Sequence, residues 1–389
     1  MKRLCDRYLC TGCGACFAKC PKQCISFIED NHGFAYPEIN EKDCIKCGIC
    51  AKVCPVQNQH VMTRPTFIYK THSQSKRIDI MKSSSGGTVS EIVRYFLKYE
   101  GSVYSSFFDE NYNLTLNEIV DESNIINLQG SKYVQGRAEH SYKLVLNQLQ
   151  KGKKVLYIGT PCQIAGLYSF LGGRNPSLWT IDLLCAGVAS PGVFRRFVTF
   201  LKLKYGNFCN LNFRNKKYGY GFYVTSISKD DSKERVLTDE AVSFSKCIGK
   251  GFVRKSCFAC QYHNIARIGD ITVGDYGRKN LTRNELKYGV NLCFVNTENG
   301  KKLFDALRNN LSFQEISYGF IKEKLESTPL SDKRKHNFPS NYESFFTYAM
   351  ENEWEKTHEL FIKERTVISK LKQFIPLKLY YYLLAKRQQ

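Results

Sequence analysis

Residues 24–39, CISFIEDNHGFAYPEI, alternate apolar and polar positions on either side of Asn31, His32 and Gly33, which predicts a β-hairpin. From residue 66 onward, strand-like runs alternate with helical ones. After SSSGGT (83–88), VSEIVRYFLKY spaces its apolar residues as a helix does, and GSVYSSFF follows as a strand. KKVLYIG is a short apolar run entering TPC, and QIAGLYSFL reads as a helix. SLWTIDLLC is strand-like, and Ser190 and Pro191 supply the cap and first-turn residue of the helix PGVFRRFVTFLKLKY. This alternation predicts an α/β domain with a mixed, partly parallel sheet. Residues 210–250 read as an irregular insert leaning antiparallel, and DITVGDYG as the final strand and turn. Beyond residue 320, ESFFTYAMENEWEKTHELFIKERTVISKL predicts one or two amphipathic helices, giving a helical C-terminal tail.

With 389 residues, 43 % of them hydrophobic and 24 % charged, the chain has the composition of a globular protein of two or three domains. The boundaries expected are 1–60, 66–320 and 321–389, with the polar stretch QNQHVMTRPT linking the first two. No run approaches the ~20 apolar residues a membrane-spanning helix requires. The start, MKRLCDRYLCTGCG, lacks the apolar region of a secretory signal, so a cytoplasmic location is expected. There, clustered cysteines are more often metal ligands than disulfides. The formal charge is +21. Such a surplus favours anionic partners: acidic electron carriers, phosphorylated substrates, or a membrane surface met by the basic tail. A solvated surface that aids solubility, and a terminal helix docked on its own protein, explain the same charges. No nucleic-acid-binding motif is present, so nucleic acid is not an expected partner.

Ten of the 17 cysteines fall within the first 54 residues, and they repeat. Cys10, Cys13, Cys16 and Cys20 precede Pro21; thirty-four residues later Cys44, Cys47, Cys50 and Cys54 precede Pro55. Each set reads C-x2-C-x2-C-x3-C-P, the pattern of a two-cluster 4Fe-4S ferredoxin in which the fourth cysteine of each run serves the other cluster. That assigns Cys10, Cys13, Cys16 and Cys54 to one cluster and Cys44, Cys47, Cys50 and Cys20 to the other, in an α+β ferredoxin-like dicluster domain. Structural zinc is disfavoured, because its ligands come in pairs and not in two copies of a triplet. Cys5 and Cys24 lie outside the pattern and read as inert thiols.

Four later cysteines are also placed suggestively. Cys162 and Cys185 follow strands, at the sheet edge where open α/β folds hold ligands, and Cys257 and Cys260 form a C-x2-C just upstream of DITVGD. Together they suit a third 4Fe-4S cluster, with Cys247 as the first substitute ligand; two buried thiols and an incidental C-x2-C are the plain alternative. Ser85, Gly86, Gly87 and Thr88 sit where a loop enters a helix, a place suited to a phosphate and equally to an ordinary helix start. Asp270 and Asp275 flank the strand ITVG as ribose or ring contacts, or as turn residues. His263 is the one acid-base candidate, and a surface histidine explains it as well.

At GTPCQIAGL, SCFACQYHNIARIGDITVGDYG and the SGG loop, the sequence resembles the family of coenzyme F420 hydrogenase/dehydrogenase beta subunits, over roughly residues 66–320. The resemblance implies cluster ligation by Cys162, Cys185, Cys257 and Cys260, and FAD near Ser85, Gly86, Gly87 and Thr88. It further implies an iron-sulfur flavoprotein oxidoreductase that exchanges electrons with a partner protein or a soluble redox cofactor such as coenzyme F420. Similar proteins with a ferredoxin-like front end and a basic tail occur in exopolysaccharide gene clusters. One departure is that after GDY (274–276) members often carry a further aromatic residue and then glycine, whereas here Tyr276 leads directly to Gly277 and Arg278. A flavin-free electron-transfer module and a binding protein with structural clusters are the competing expectations.

Overall fold

The computed structural model describes residues 4–75, 80–99, 101–229, 234–278, 280–321 and 338–363. At the front, β1 (Ile25–Glu29) and β2 (Ala35–Ile39) pair antiparallel with Ile25 opposite Ile39, the hairpin that the alternation predicts. Two short helices, α1 (Ala15–Lys19) and α2 (Ile49–Lys52), start immediately after Gly14 and Gly48. Both glycines are left-handed, with φ of 87° and 74°, so each cysteine triplet turns from loop into helix at the same point of the repeat.

The rest is built on an eight-stranded sheet. In chain order its strands are β3 (Phe67–Ser73), β4 (Gly101–Phe108), β5 (Leu114–Ile119), β6 (Lys154–Gly159) and β7 (Leu178–Leu183). After the excursion of β8 (Asn210–Asn215), β9 (Val224–Ser228) and β10 (Arg235–Val236) come β11 (Ile271–Asp275), β12 (Asn291–Val295) and β13 (Leu311–Glu315). The spatial order is β13-β3-β12-β11-β7-β6-β4-β5. The four central strands β11, β7, β6 and β4 are parallel, while β12, β3, β13 and β5 add antiparallel edges. The sheet is therefore mixed and partly parallel. β8–β10 form the separate antiparallel sheet expected of the 210–250 insert. DITVGDYG, however, is not the last strand. β12 and β13 follow it, and β12 (NLCFV) is buried at every position, the near-continuous apolar reading of an interior strand.

The helices α3 (Thr88–Tyr99), α4 (Ile125–Leu128), α5 (Glu139–Gln150), α6 (Pro161–Leu171) and α7 (Pro191–Tyr205) cover the sheet or connect its strands. α6 follows β6 and α7 follows β7, so the parallel strands point their carboxyl ends at the segments that begin with Thr160 and Leu184. Ser190 caps α7, its Oγ accepting the Val193 N–H at 3.2 Å. Near the C-terminus, helices Tyr342–Glu351 and Trp354–Thr357 break at Asn352 and end in a π-type turn, His358–Ile362. They share a core with α7 and the β8–β10 region; Trp354 is buried against Phe197 and Phe244, and its Nε1 donates to Ala241 O at 2.6 Å. The basic end, 364–389, lies outside the described residues. Among those described, no helix is long and apolar enough to cross a membrane.

Candidate metal centres and an adjoining cavity

The thiols of the two cysteine runs gather in groups, and Cys54 lines the same small cavity as Cys10, Cys13 and Cys16. Burial pushes Cys13 up to about 12, and Cys10, Cys54 and Cys162 beside it add to the effect. Cys16 is raised in the same way by burial and then by Cys13, Cys10 and Cys54. Cys54 thus lies with the first triplet and not with its own. Reciprocally, Cys50 is raised by burial, with Cys47 and Cys20 adding. Among the described residues, no three His, Cys, Asp or Glu side chains close around a point as ligands of a single ion would. The thiols share a space in groups instead.

Two thiols read as inert join these groups. Hydrogen bonds from Cys5 hold Cys10 down at about 6 and Cys54 at about 7. A small cavity of about 20 Å³ is lined by Cys5, Cys10, Cys13, Cys16 and Cys54. The chain doubles back there, because Cys10 N–H donates to Asp6 O at 2.9 Å. At the second group, the Cys24 Sγ lies 3.5 Å from that of Cys20, and Cys44 is close by.

The third group also assembles. Burial raises Cys185 to about 12, with Cys162 and then Cys260 adding, while Arg267 opposes. Cys257 is raised well above its usual value by burial, then by Cys185, Cys260 and Cys162. Cys162 is the second residue of α6, whose start is fixed by a capping box between Thr160 and Gln163 and by Pro161. Four residues on, Gly166 packs on the first group: a Cβ there would lie 2.9 Å from Cys13 Cβ and 3.1 Å from its Sγ. Cys247 does not substitute; it is a fully buried thiol in the hydrophobic core, raised by desolvation.

Arg254 links the first group to the third, and nothing in the sequence pattern singles it out. It has no exposed surface. Its Nε donates to Cys10 O at 2.7 Å, and one NH group donates to Ala35 O at 3.1 Å and Gln135 Oε1 at 2.9 Å. The guanidinium lies 3.9 Å from the Tyr36 ring centroid, and its other NH group is buried without a hydrogen-bond partner. It helps hold Cys10 low, and at Cys162 it opposes the burial that raises that thiol. A buried cation with an unsatisfied donor between two sets of thiols is what anionic, sulfur-rich groups on both sides require. The donor sets fit 4Fe-4S clusters.

Beside the third group lies a cavity of about 950 Å³, at the upper end of the range for small-molecule and cofactor sites. Cys162 and Cys185 form part of its wall, and Ser83, Ser84, Ser85, Gly87 and Thr88 form another part. Gly86 does not face it: a Cβ there would sit 2.6 Å from Thr71 O, so this glycine permits close packing of the loop on the sheet. Gly87, with φ of 79°, makes the turn into α3. The Thr88 N–H is already given to Asn291 Oδ1 at 3.2 Å. Asp275 is on the wall, held by the Ser85 hydroxyl and by Arg214 at 2.8 Å. Asp270 is away from it and structural, accepting Thr180 N–H at 2.9 Å, the Thr180 hydroxyl at 2.8 Å, Arg174 at 3.1 Å and Thr297 at 2.7 Å. His263 is half-buried beside the C-x2-C and does not line the cavity. In size and in its loop-to-helix wall, the cavity fits a flavin.

Known proteins resemble this chain in sequence. Residues 152–318 match the family described as the C terminus of the coenzyme F420 hydrogenase/dehydrogenase beta subunit, and residues 9–58 match the 4Fe-4S dicluster domain. Over 152–318, somewhat less than half of its length, the chain is similar to that hydrogenase/dehydrogenase family. It is an iron-sulfur electron-transfer protein of oxidoreductase type, with a 4Fe-4S dicluster front end. An uncharacterized protein of Methanocaldococcus jannaschii is 24 % identical over 58 % of this chain and 64 % of its own. The F subunit of the F(420)H(2) dehydrogenase of Methanosarcina mazei is 22 % identical over 79 % of this chain and 84 % of its own. The coenzyme F420-dependent sulfite reductase of M. jannaschii is 23 % identical over 90 % of this chain and 54 % of its own. The chain thus spans between about half and five sixths of the curated relatives it matches.

Proposed function

We propose that the chain moves electrons singly through three 4Fe-4S clusters to a flavin in the 950 Å³ cavity, where a soluble hydride carrier such as coenzyme F420 exchanges with it. The first cluster is held by Cys10, Cys13, Cys16 and Cys54, the second by Cys44, Cys47, Cys50 and Cys20, and the third by Cys162, Cys185, Cys257 and Cys260. The working units are 1–60, 66–320 and 321–389. The observation that carries this reading is the unbroken order of sites. Cys20 is near enough to act on Cys50 in the outer group, Cys54 and Cys13 line one small cavity in the middle one, α6 packs on Cys13 through Gly166, and Cys162 at the start of α6 is in the cavity wall.

A flavin in the cavity would supply the conversion between single electrons and a hydride. The chain's own residues provide position and charge. α6 sets Cys162 at its first turn, where helix N–H groups favour a thiolate. Arg254 offsets negative charge between the first and third groups, and Arg267 does so at the third, donating to Leu183 O at 3.1 Å while paired with Asp182 at 3.1 Å. Ser83, Ser84 and Gly87 keep the wall free of bulk.

Protein reconstituted anaerobically should hold about twelve iron atoms per chain, and Cys257→Ser about eight. Ser84→Trp is expected to fill the cavity without touching a cysteine, so that FAD occupancy falls while iron stays constant. If the wild type binds neither FAD nor FMN at micromolar concentration, the flavin is wrong and an electron-transfer module is what remains.

A further inference from the structure

The two copies of C-x2-C-x2-C-x3-C-P share a local fold but differ in surroundings. Gly14 and Gly48 are equivalent and similarly left-handed, yet a Cβ on Gly14 would run into Glu139 of α5 whereas one on Gly48 would meet nothing within 4 Å. The same holds one position pair earlier. A Cβ on Gly12 would lie 2.6 Å from Gln135 Nε2, and its counterpart is Lys46, which is exposed. Cys13 is buried and its counterpart Cys47 is exposed. One copy is closed by the large domain and the other faces out.

The residues at matching positions differ in kind. Around the closed copy stand Tyr8, Gly12, Ala18 and Val56; thirty-four positions away, at the open one, stand Lys42, Lys46, Lys52 and Lys22. All four lysines are exposed and lie within two residues of Cys44, Cys47, Cys50 or Cys20. Glu41 and Asp43 leave the lysines in excess, and Ile45, 58 % exposed, adds an apolar point at the centre. An apolar centre with a rim of lysines suits a transient encounter, in which rim charge sets the association rate.

We infer that this face, Lys22, Lys42, Lys46 and Lys52 around Cys44–Cys50, is the docking surface for an acidic one-electron carrier protein. The inference rests on the cluster assignment proposed above. In each turnover the carrier's reduced centre gives up one electron and the second cluster gains it, with no bond made or broken; the reverse transfer uses the same contact. Hydride chemistry at the far cavity then needs no access from this face.

The test uses the full reconstituted chain and a reduced acidic 2Fe-2S ferredoxin, following bleaching of the cluster absorbance by stopped flow. The expected rate falls with added salt. The combined variant Lys22→Glu, Lys42→Glu, Lys52→Glu should lower it about tenfold or more at low ionic strength. Its iron content and its reduction by dithionite should match wild type, and Lys151→Glu with Lys153→Glu, exposed elsewhere, should behave as wild type. An unchanged rate in the triple variant overturns the docking surface, as does a wild type that this ferredoxin fails to reduce. Retention by anionic lipid vesicles that the triple variant loses, with the ferredoxin rate unaffected, would assign the face to a membrane instead. Absence of the second cluster from the wild-type iron count and electron paramagnetic resonance spectrum would sink the cluster assignment, and the docking surface with it.

Discussion

Arg254 is a fully buried cation whose hydrogen-bond acceptors are all uncharged. Its hydrogen bonds reach the first cysteine loop, the hairpin and Gln135, so one side chain ties together three segments far apart in sequence. Replacing it with methionine removes donors from buried acceptors and a cation from between thiolate sets. The expected cost is about 3 kcal/mol of unfolding free energy with clusters in place, read by urea denaturation. Lysine should recover little, because one ammonium cannot reproduce the fork; a loss below about 1 kcal/mol in the methionine variant would show that Arg254 is not what joins the loops. Cys24 carries a second prediction. A turn in which Gln23 N–H donates to Cys20 O at 3.2 Å folds it back to 3.5 Å from Cys20 Sγ. Cys20→Ala alone should therefore keep most of the iron of the second group, and Cys20→Ala with Cys24→Ala should lose about four atoms per chain. The repeat in the sequence was enough to expect Cys54 beside the first triplet, whose cavity it lines. It was silent on Cys5 and Cys24, because their approach comes from local turns that no ligand spacing encodes. Arg254 was equally hidden, since its partners are two main-chain carbonyls and one side-chain amide from remote segments.

At the scale of the element, α6 relates two cysteine groups through a single helical turn. Cys162 stands at its start and Gly166 four residues on, a rise of about 6 Å at 1.5 Å per residue. Gly166 has no room for a side chain, since a Cβ would also lie 2.6 Å from the Tyr142 hydroxyl. That hydroxyl shares its one hydrogen between Cys13 O at 2.7 Å and Gln163 O at 3.0 Å, closing the contact. Gly166→Leu should push α6 off the first cysteine loop, and iron content should fall by about four atoms while the signal of the Cys162 group persists. Equal loss from both groups would mean that the helix and not the contact has failed. The segments framing this arrangement were legible because each carries its own signal: KVLYIG is a buried run, and TPCQ begins a helix with cap and proline. β12 and β13 were missed for opposite reasons. NLCFV is only five residues with no alternation, and LSFQE lies at the sheet edge, half-exposed and largely polar. The cavity wall was half legible: the SGG loop announces a close backbone approach, but which glycine packs on the sheet and which faces the space depends on β3 and β12, brought together by pairing across more than two hundred residues.

For the whole molecule, the question is whether the front cysteine segment rides as an appendage or folds with the rest. One core contains Phe34 and Tyr36 of the front hairpin, Phe194 and Phe197 of α7, Phe244 of the insert and Phe252 just beyond it, and Phe346 and Trp354 of the C-terminal helices. His32 stacks on Phe346 with ring centroids 4.8 Å apart, while its Nε2 lies 2.8 Å from Glu343. Glu343 also meets Lys255 at 2.8 Å, and the Tyr342 hydroxyl donates to Val253 O at 2.7 Å. The C-terminal helices thus bridge the hairpin to the segment that leads into Cys257. Aromatic burial on this scale costs about 3 to 5 kcal/mol per large-to-alanine change. Trp354→Ala, far along the chain from the nearest front cysteine, should therefore lower the stability of the whole chain by about that amount. In guanidinium titrations under argon, loss of cluster absorbance and loss of far-ultraviolet ellipticity should move together to lower denaturant, as one cooperative unit requires. If the front clusters instead bleach at the wild-type midpoint while the helical signal shifts, the hairpin's aromatic residues contribute little to the shared core and the front segment is stable by itself.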